Sequence, residues 1–426
     1  MNESRYNYRF RTPDGSPAVL NGLSGSVIGD PGGPLDQPGL PPADRDFLVR
    51  HHFLVADAGE ERRLLLARNH AANTRRDRVE LTLMLHEECN FRCTYCFEDF
   101  KNQELDATRI SHLTAFVDAR LPEGGTLAVH FYGGEPLLAW DSLVAVVDAF
   151  EALTGARGAR FSFYVTTNGS LLGDDRARYL ARHGAQHVKI TLDGPPDVHD
   201  RRRPRKGGQA SFDAVLAGVR AALAELPVLL RVNVDADNVE RVAELLDILE
   251  RACGEGRRRL QLDLNPVYDK DAGRLRLGVP YARLTALQHA ALDRGFAVYM
   301  PPLLRTRYCK FNSVNSYLVD TAGELYRCSQ DADFRVGALA PPPGAPPAAR
   351  AAAVDARFQE VKSVCLECRL LPICGGGCTL LAHRAAPPCP GWADDLETYL
   401  ALQYRVLTPP APAGAAHGHG ARALSV

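Results

Sequence analysis

Apolar residues along this chain fall into two kinds of run, and their alternation predicts most of the architecture. From about Val79, short continuous stretches have the length and composition of buried parallel strands: LTLML (81–85), LAVHFY (127–132), FSFYVTT (161–167), HVKITL (187–192), VLLRVNV (228–234) and LQLDLN (260–265). Between them lie longer stretches with helical spacing: ATRISHLTAFVDARL, WDSLVAVVDAFEALTG, DRARYLARHG, SFDAVLAGVRAALAEL and NVERVAELLDILERAC. Six strands with five intervening helices, and a sixth helix around Ala282–Arg294, describe an α/β fold, a (β/α)6 open barrel. Ligand sites in such sheets lie beyond the C-terminal ends of the strands.

The rhythm differs at both ends of the chain. Upstream, YNYRFRTPDGSPAVLNGLSGSVI reads as short strands around Pro-Asp-Gly and Asn-Gly turns, and GDPGGPLDQPGLPPAD as a break. DFLVRHHFLVADAGEERRLLLAR reads as a helix and a β-ribbon, so residues 1–78 form a small α+β piece without a catalytic constellation. The barrel occupies 79–295. Beyond about Phe296, VNSYLVDTAGELYRCSQ predicts a hairpin turning at Thr321–Gly323, and PPPGAPPAAR a stiff linker. The cysteine-bearing loops around CRLLPICGGGC are typical of a fold organised by metal, and this region closes at about 395. Residues 396–426 hold the end of a last helix, GWADDLETYLALQYRVL, and a solvated tail containing His417 and His419.

Composition excludes more than it identifies. The formal net charge of −1 gives no global field toward nucleic acid or a membrane. The start lacks an apolar signal segment, and no stretch reaches the roughly 20 apolar residues that span a bilayer. A cytoplasmic protein is expected. In that reducing compartment, 11 cysteines, an odd number, point to metal or catalysis rather than disulfides.

Ten of the 11 fall into two spaced sets. The first is Cys89-x3-Cys93-x2-Cys96, directly after the first barrel strand. Three thiolates so spaced can ligate three irons of a [4Fe–4S] cube and leave the fourth open to a ligand. A structural zinc wants four ligands, and this loop offers three; His86 lies on the strand and is expected to face the barrel wall. The second set is Cys309-x13-Gly323-x4-Cys328, Cys365-x2-Cys368-x5-Cys374-x3-Cys378, and Cys389. Cys253, at the end of a predicted helix, is expected to be a buried small apolar residue.

After the second strand comes Gly133-Gly134-Glu135-Pro136; after the third, Thr167-Asn168-Gly169-Ser170; after the fourth, Thr191-Leu192-Asp193-Gly194 and the basic run Arg201–Arg203, Arg205, Lys206. In the fifth strand, Arg231 and Asn233 alternate with apolar residues and so share one face.

The first cysteine set, with Tyr95 before its last member, resembles the radical S-adenosylmethionine (SAM) enzymes, and the second resembles the SPASM extension found on some of them. The resemblance covers roughly Val79 to Trp392 and implies a partial (β/α)6 radical SAM barrel with a C-terminal iron–sulfur SPASM domain. It implies SAM and three [4Fe–4S] clusters as cofactors. Cys89, Cys93 and Cys96 would hold the catalytic cluster, Cys309, Cys328 and Cys378 the first auxiliary cluster, and Cys365, Cys368, Cys374 and Cys389 the second. The first auxiliary set is one cysteine short. By the same resemblance, Gly133, Gly134 and Glu135 hold the SAM amino group, Thr191 binds SAM, and Arg203 pairs with its carboxylate. Tyr95, Asn168 and Arg231 complete the expected cofactor contacts.

The implied chemistry is reductive cleavage of SAM, followed by hydrogen abstraction by a 5′-deoxyadenosyl radical. The expected partners are a precursor peptide or protein and a reductant such as flavodoxin or ferredoxin. The leading expectation is maturation of a ribosomally made peptide by a cross-link or an oxidised residue. The N-terminal piece is then either a leader-peptide-binding element or a cap. Formylglycine formation ranks second, because sulfatase maturases carry an aspartate immediately after the cysteine matching Cys328, where this chain has Ser329, with Asp331 two further on. Dehydrogenation of a small-molecule alcohol is a third reading. A multi-cluster electron carrier is a fourth, opposed by the GGEP segment, which a carrier does not need.

Overall fold

The computed structural model describes residues 1–269, 276–277, 279–329, 332–340, 348–383 and 389–408. The N-terminal piece contains β1 (Asn2–Glu3), β2 (Asn7–Arg11), β3 (Pro17–Asn21), β4 (Val27–Gly29), α1 (Pro42–Arg50), β5 (Leu54–Val55) and α2 (Ala58–Thr74). Strands β2, β3 and β4 form an antiparallel sheet, and β1 pairs with β5. The expected β-ribbon after the first helix is replaced by β5 and the 17-residue α2. The Asp57 carboxylate accepts from the Gly59 amide and starts that helix, with Glu60 and Glu61 in the first turn.

The core alternates β6 (Arg78–His86), α3 (Ala107–Asp118), β7 (Thr126–Gly133), α4 (Trp140–Ala156), β8 (Arg160–Thr167), α5 (Asp174–Arg182) and β9 (Ala185–Thr191). It continues with α6 (Pro196–Arg202), α7 (Phe212–Glu225), β10 (Val228–Val234), α8 (Val242–Cys253) and β11 (Leu260–Pro266). All six predicted strands form, parallel and in sequence order. Helix α6 was not anticipated; it places the basic run at a helix end rather than on a loop.

Beyond the core lie β12 (Tyr268–Asp269), β13 (Arg276–Leu277), α9 (Tyr281–Asp293), β14 (Ala297–Val298), β15 (Ser316–Val319), β16 (Glu324–Tyr326) and β17 (Arg335–Ala338). The cysteine-rich end carries α10 (Ala348–Gln359), α11 (Ser363–Leu366), α12 (Leu371–Cys374), α13 (Thr379–His383) and α14 (Leu396–Leu407). The predicted hairpin is β15–β16, but it is not confined to a separate module. β15 pairs in parallel with β6, so one open ten-stranded sheet runs in the order β14-β11-β10-β9-β8-β7-β6-β15-β16-β17. Residues 341–347 of the expected linker, Asp331, and the tail from 409 onward lie outside the described residues.

Period-two alternation sorts the sheet's side chains onto two faces. Leu81, Leu83, Leu127, Val129, Phe131, Val165, Ile190 and Leu230 are buried in the main apolar core with the helices. The opposite face is polar and aromatic. On it, His130, Tyr164 and His187 from three adjacent strands stack ring on ring, at centroid separations of 4.2 and 4.7 Å. Cys253 closes α8 as a buried member of the apolar core.

The N-terminal sheet docks far from its sequence neighbours. Tyr6, Tyr8, Phe10, Leu20 and Leu23 share one apolar cluster with Cys365, Leu371, Ile373, Cys374, Trp392 and Tyr399. The first strands therefore wall the last cysteine loops. No helix among the described residues is long and apolar enough to cross a membrane.

Candidate active site

The loop after β6 carries Cys89, Cys93 and Cys96, which grade from buried through half-buried to exposed. Glu88 pins its start. The carboxylate accepts from the Cys89 amide at 2.9 Å, from Arg92 at 2.8 Å and from Lys206 at 2.9 Å. The bond from Lys206 leads the causes that hold its pKa down at about 2. Sequence reasoning missed Glu88, which lies among the cysteines without belonging to the motif.

Gly133 and Gly134 also have a structural reason that the sequence did not reveal. They admit the backbone of the cysteine loop. Gly133 has φ +126, and a Cβ on Gly134 would lie 2.4 Å from the Glu88 carbonyl oxygen and 2.7 Å from that of Glu87. The Gly134 amide donates to His86 O at 2.9 Å and that of Glu135 to Glu88 O at 3.0 Å. A Gly134→Ala variant is therefore expected to lose about 1–3 kcal/mol of stability through overpacking. It should also bind less iron after reconstitution, measured as iron per chain.

Glu135 is fully buried. One of its oxygens accepts from the Leu137 amide at 2.9 Å and the Thr167 hydroxyl at 2.7 Å, the other from the Asn168 amide at 2.7 Å. Burial pushes its pKa up despite these bonds. Asn168 reaches back to the cysteine loop, donating to Asn90 Oδ1 at 2.7 Å, with its Nδ2 3.8 Å from Cys89 Sγ. The ends of β6, β7 and β8 are thus tied into one polar unit.

The ends of β9 and β10 meet at Tyr95. Its hydroxyl donates to Asp193 and accepts from Arg203 Nη1 at 2.6 Å and Asn233 Nδ2 at 3.0 Å. Burial and the Asp193 charge push the phenol's pKa up, although Arg203 opposes this. The three arginines of the basic run separate by position. Arg201 is exposed. Arg202 is committed to a bidentate pair with Asp235, both bonds 2.8 Å. Arg203 is buried, and its Nε has no partner among the described residues. Burial opposes its charge, but Tyr95, Cys93 and Asp193 together raise its pKa, so it stays a cation. Behind it, burial and the two arginines push His199 down to about 2, and this neutral ring accepts from the Asp193 amide at 3.2 Å. His199 escaped sequence reasoning because no motif names it, and Asp193, within the Thr191–Gly194 segment, was given no role there.

Thr191 closes β9, buried and directly in register with Arg231. Arg231 and Asn233 do share a face: Arg231 Nε donates to Asn233 Oδ1 at 2.9 Å, and its Nη1 to Asp263 at 3.2 Å. Lys189 donates to the same Asp263 oxygen at 2.7 Å. His86 accepts from the Glu88 amide at 3.0 Å through Nδ1.

The donor set fits an iron–sulfur cube better than zinc. A tetrahedral zinc with bonds of about 2.3 Å holds its thiolates about 3.8 Å apart. Among the described residues, no three cysteine sulfurs lie within 4.8 Å of one another. A cube spreads its thiolates because each binds a different iron. Without metal, burial and Glu135 push the Cys89 thiol up to about 12, so ligation must displace its proton.

The second cysteine set divides in two. Cys309 and Cys378 are electrostatic neighbours, and Cys309 and Cys328 pack on one apolar cluster with Phe311 and Phe334. Cys365 neighbours Cys368 and Cys389, and Cys374 neighbours Cys365. Lys362 lies between the groups, within electrostatic reach of Cys365, Cys378, Cys374 and Cys309.

An open parallel sheet with a three-cysteine loop at the C-terminal end of its first core strand is the layout of a radical SAM domain. Residues 83–252 match the Radical SAM superfamily. These residues carry a radical SAM domain, and the chain is an enzyme; the domain implies SAM and a [4Fe–4S] cluster as cofactors. It is homologous to the serine-type anaerobic sulfatase-maturating enzyme of Klebsiella aerogenes, 26% identical over 322 residues, which are 68% of this chain and 76% of that one. Among solved structures, it resembles anSMEcpe with bound AdoMet and Kp18Cys peptide (TM-score 0.59, 16% identity, 78% of this chain and 98% of that one). It also resembles Streptococcus suis SuiB bound to precursor peptide SuiA (TM-score 0.53, 15% identity, 91% and 98%).

Proposed function

We propose that this enzyme cleaves SAM reductively and abstracts a hydrogen atom from a ribosomally made peptide, installing a cross-link or an oxidised residue. The observation that carries the reading is the convergence of the cysteine loop, Glu135, Asn168 and the Tyr95–Arg203 pair at one end of the parallel sheet. When bound to Cys89, Cys93 and Cys96, a [4Fe–4S] cluster supplies the electron that splits SAM into methionine and a 5′-deoxyadenosyl radical.

The chain's own residues hold and orient. Arg203, charged and with an uncommitted Nε, suits the SAM carboxylate. Glu135 keeps lone-pair capacity for the amino group beside Gly133 and Gly134. Asn168, Thr191 and Arg231 line the polar face on either side. Tyr95 contributes by fixing Arg203 and Asn233 through its hydroxyl. An Arg203→Leu variant is expected to raise the KM for SAM more than tenfold while Tyr95→Phe has a smaller effect; initial-rate assays of 5′-deoxyadenosine release measure both.

Two auxiliary [4Fe–4S] clusters, on Cys309, Cys328 and Cys378 and on Cys365, Cys368, Cys374 and Cys389, are supported by the two-fold grouping of these residues. The partners would be a precursor peptide and a flavodoxin- or ferredoxin-type reductant in the cytoplasm. Two solved neighbours that hold peptides support the substrate class. The homology to a sulfatase maturase favours a second reading, formylglycine formation, against which Ser329 stands after Cys328.

The test is anaerobic reconstitution with iron and sulfide, a strong reductant and SAM. Release of 5′-deoxyadenosine is expected, with deuterium transferred into it from a labelled peptide substrate. A protein that binds iron and sulfide yet never releases the nucleoside would falsify the proposal.

A further inference from the structure

A cavity of about 160 Å³ lies where the barrel meets the cysteine-rich end. Its floor is the C-terminal end of β11, including Asp263, the residue that bridges Lys189 and Arg231 on the polar face. One wall is α9; the others are the segment leading to Cys309 and the turn following Cys389. The cavity therefore adjoins both the polar face and the loops of both auxiliary cysteine groups.

Its lining is aromatic. Tyr281, Tyr299, Tyr308, Trp392 and Tyr399 contribute rings, with Trp392 stacked on Tyr399 at 4.1 Å. A cavity of roughly 150 Å³ takes a benzene-sized guest. Two lining side chains also carry buried polar atoms with no partner among the described residues: the Gln288 carboxamide oxygen and Arg305 Nε. Gln288 is only 5% exposed, and its Nε2 rests 3.8 Å from Met300 Sδ. The site thus lacks one donor and one acceptor. A phenol hydroxyl supplies both, whereas a plain ring supplies neither.

We infer that this cavity is a substrate subsite that seats one tyrosine side chain of the peptide, its hydroxyl donating to Gln288 and accepting from Arg305. The inference rests on the peptide-maturase reading and adds a residue preference to it. A seated tyrosine anchors the peptide beside the polar face, where an adjacent residue meets the radical. Phenylalanine leaves both polar groups unpaired, and leucine forfeits the ring stacking as well.

The experiment uses the reconstituted full chain and three probes, N-acetyl-tyrosinamide, N-acetyl-phenylalaninamide and N-acetyl-leucinamide, with binding read by NMR titration. The tyrosine probe is expected to bind with a Kd on the order of 1 mM. The phenylalanine probe should bind at least about fivefold more weakly, and the leucine probe not measurably. Leu284→Trp, which fills the cavity, should abolish binding of all three. Gln288→Leu should reduce the preference for tyrosine over phenylalanine to what Arg305 alone supports while retaining binding of the latter, which shows that the variant is folded. Equal binding of the leucine probe, or a tyrosine preference left unchanged by Gln288→Leu, overturns the inference. So does failure of every probe to bind a chain that cleaves SAM. A chain that does not cleave SAM overturns the maturase reading instead, whatever the probes do.

Discussion

A Cys93→Ala variant, reconstituted anaerobically, is expected to release no 5′-deoxyadenosine above the protein-free background. Cys93 is one of only three thiolates in its loop, and no other cysteine lies between it and Cys253 except Cys96. A cube needs three protein ligands to present one open iron, and loss of one removes SAM chelation together with electron delivery. On the proposal of three clusters per chain, bound iron should fall by about four from about twelve, as measured by colorimetric iron assay and Mössbauer spectroscopy. Cys328→Ala should lose a similar amount of iron but still split SAM without substrate. If the two variants behave alike, the division of the cysteines between catalytic and auxiliary roles is wrong.

The largest stability effect is expected at Arg327, which has no place in the motif. Among the described residues it is the bulkiest fully buried side chain, 1% exposed. Its guanidinium donates to the carbonyls of Ser313 and Ser316 at 2.7 and 2.6 Å, to that of Val314 at 2.9 Å, and to Asp355 at 2.7 Å. It also lies over the Tyr317 ring, 4.5 Å from the centroid. Replacement by Met removes a charged donor from three carbonyls and a carboxylate, of which Val314 O keeps the Tyr317 hydroxyl and Ser313 O the Ser316 amide, a loss of about 3 kcal/mol. Asp355 is partly exposed, so water recovers some of this at that end only. Because Arg327 precedes Cys328, the variant should lose iron from the first auxiliary group while the Cys89 cluster keeps its electron paramagnetic resonance signal with SAM. Unfolding of the metal-free chain in urea reads the stability change. Arg327→Lys retains charge without the planar fork and should recover only part of it.

The strands and the catalytic cysteine loop were legible because both depend on local signals. Short apolar runs separated by helical stretches mark the core strands, and the cysteine spacing is short-range chemistry. What stayed hidden involves contacts remote in sequence. Helix α6 opens with Pro195-Pro196 and is only seven residues long, too short for its periodicity to show. Asp193, His199 and Glu88 matter through partners supplied by other strands and loops. The ribbon expected within 46–68 failed because EERRLLLAR lies in a capped helix whose Leu65 and Leu66 pack toward the last cysteine loops. The reason for Gly133 and Gly134 was likewise visible only when the chain they admit was in place.

The docking of the first strands against the last cysteine loops has a consequence for biosynthesis. Tyr8 donates its hydroxyl to the Arg369 carbonyl across 361 positions of chain. During translation the N-terminal sheet emerges first, yet its apolar face finds its partners only after the Cys365–Tyr399 segment has left the ribosome. The two segments therefore close together only once both are available. A nascent chain that stalls before Trp392 presents an uncovered sheet for chaperones, and trimming either terminus exposes the other.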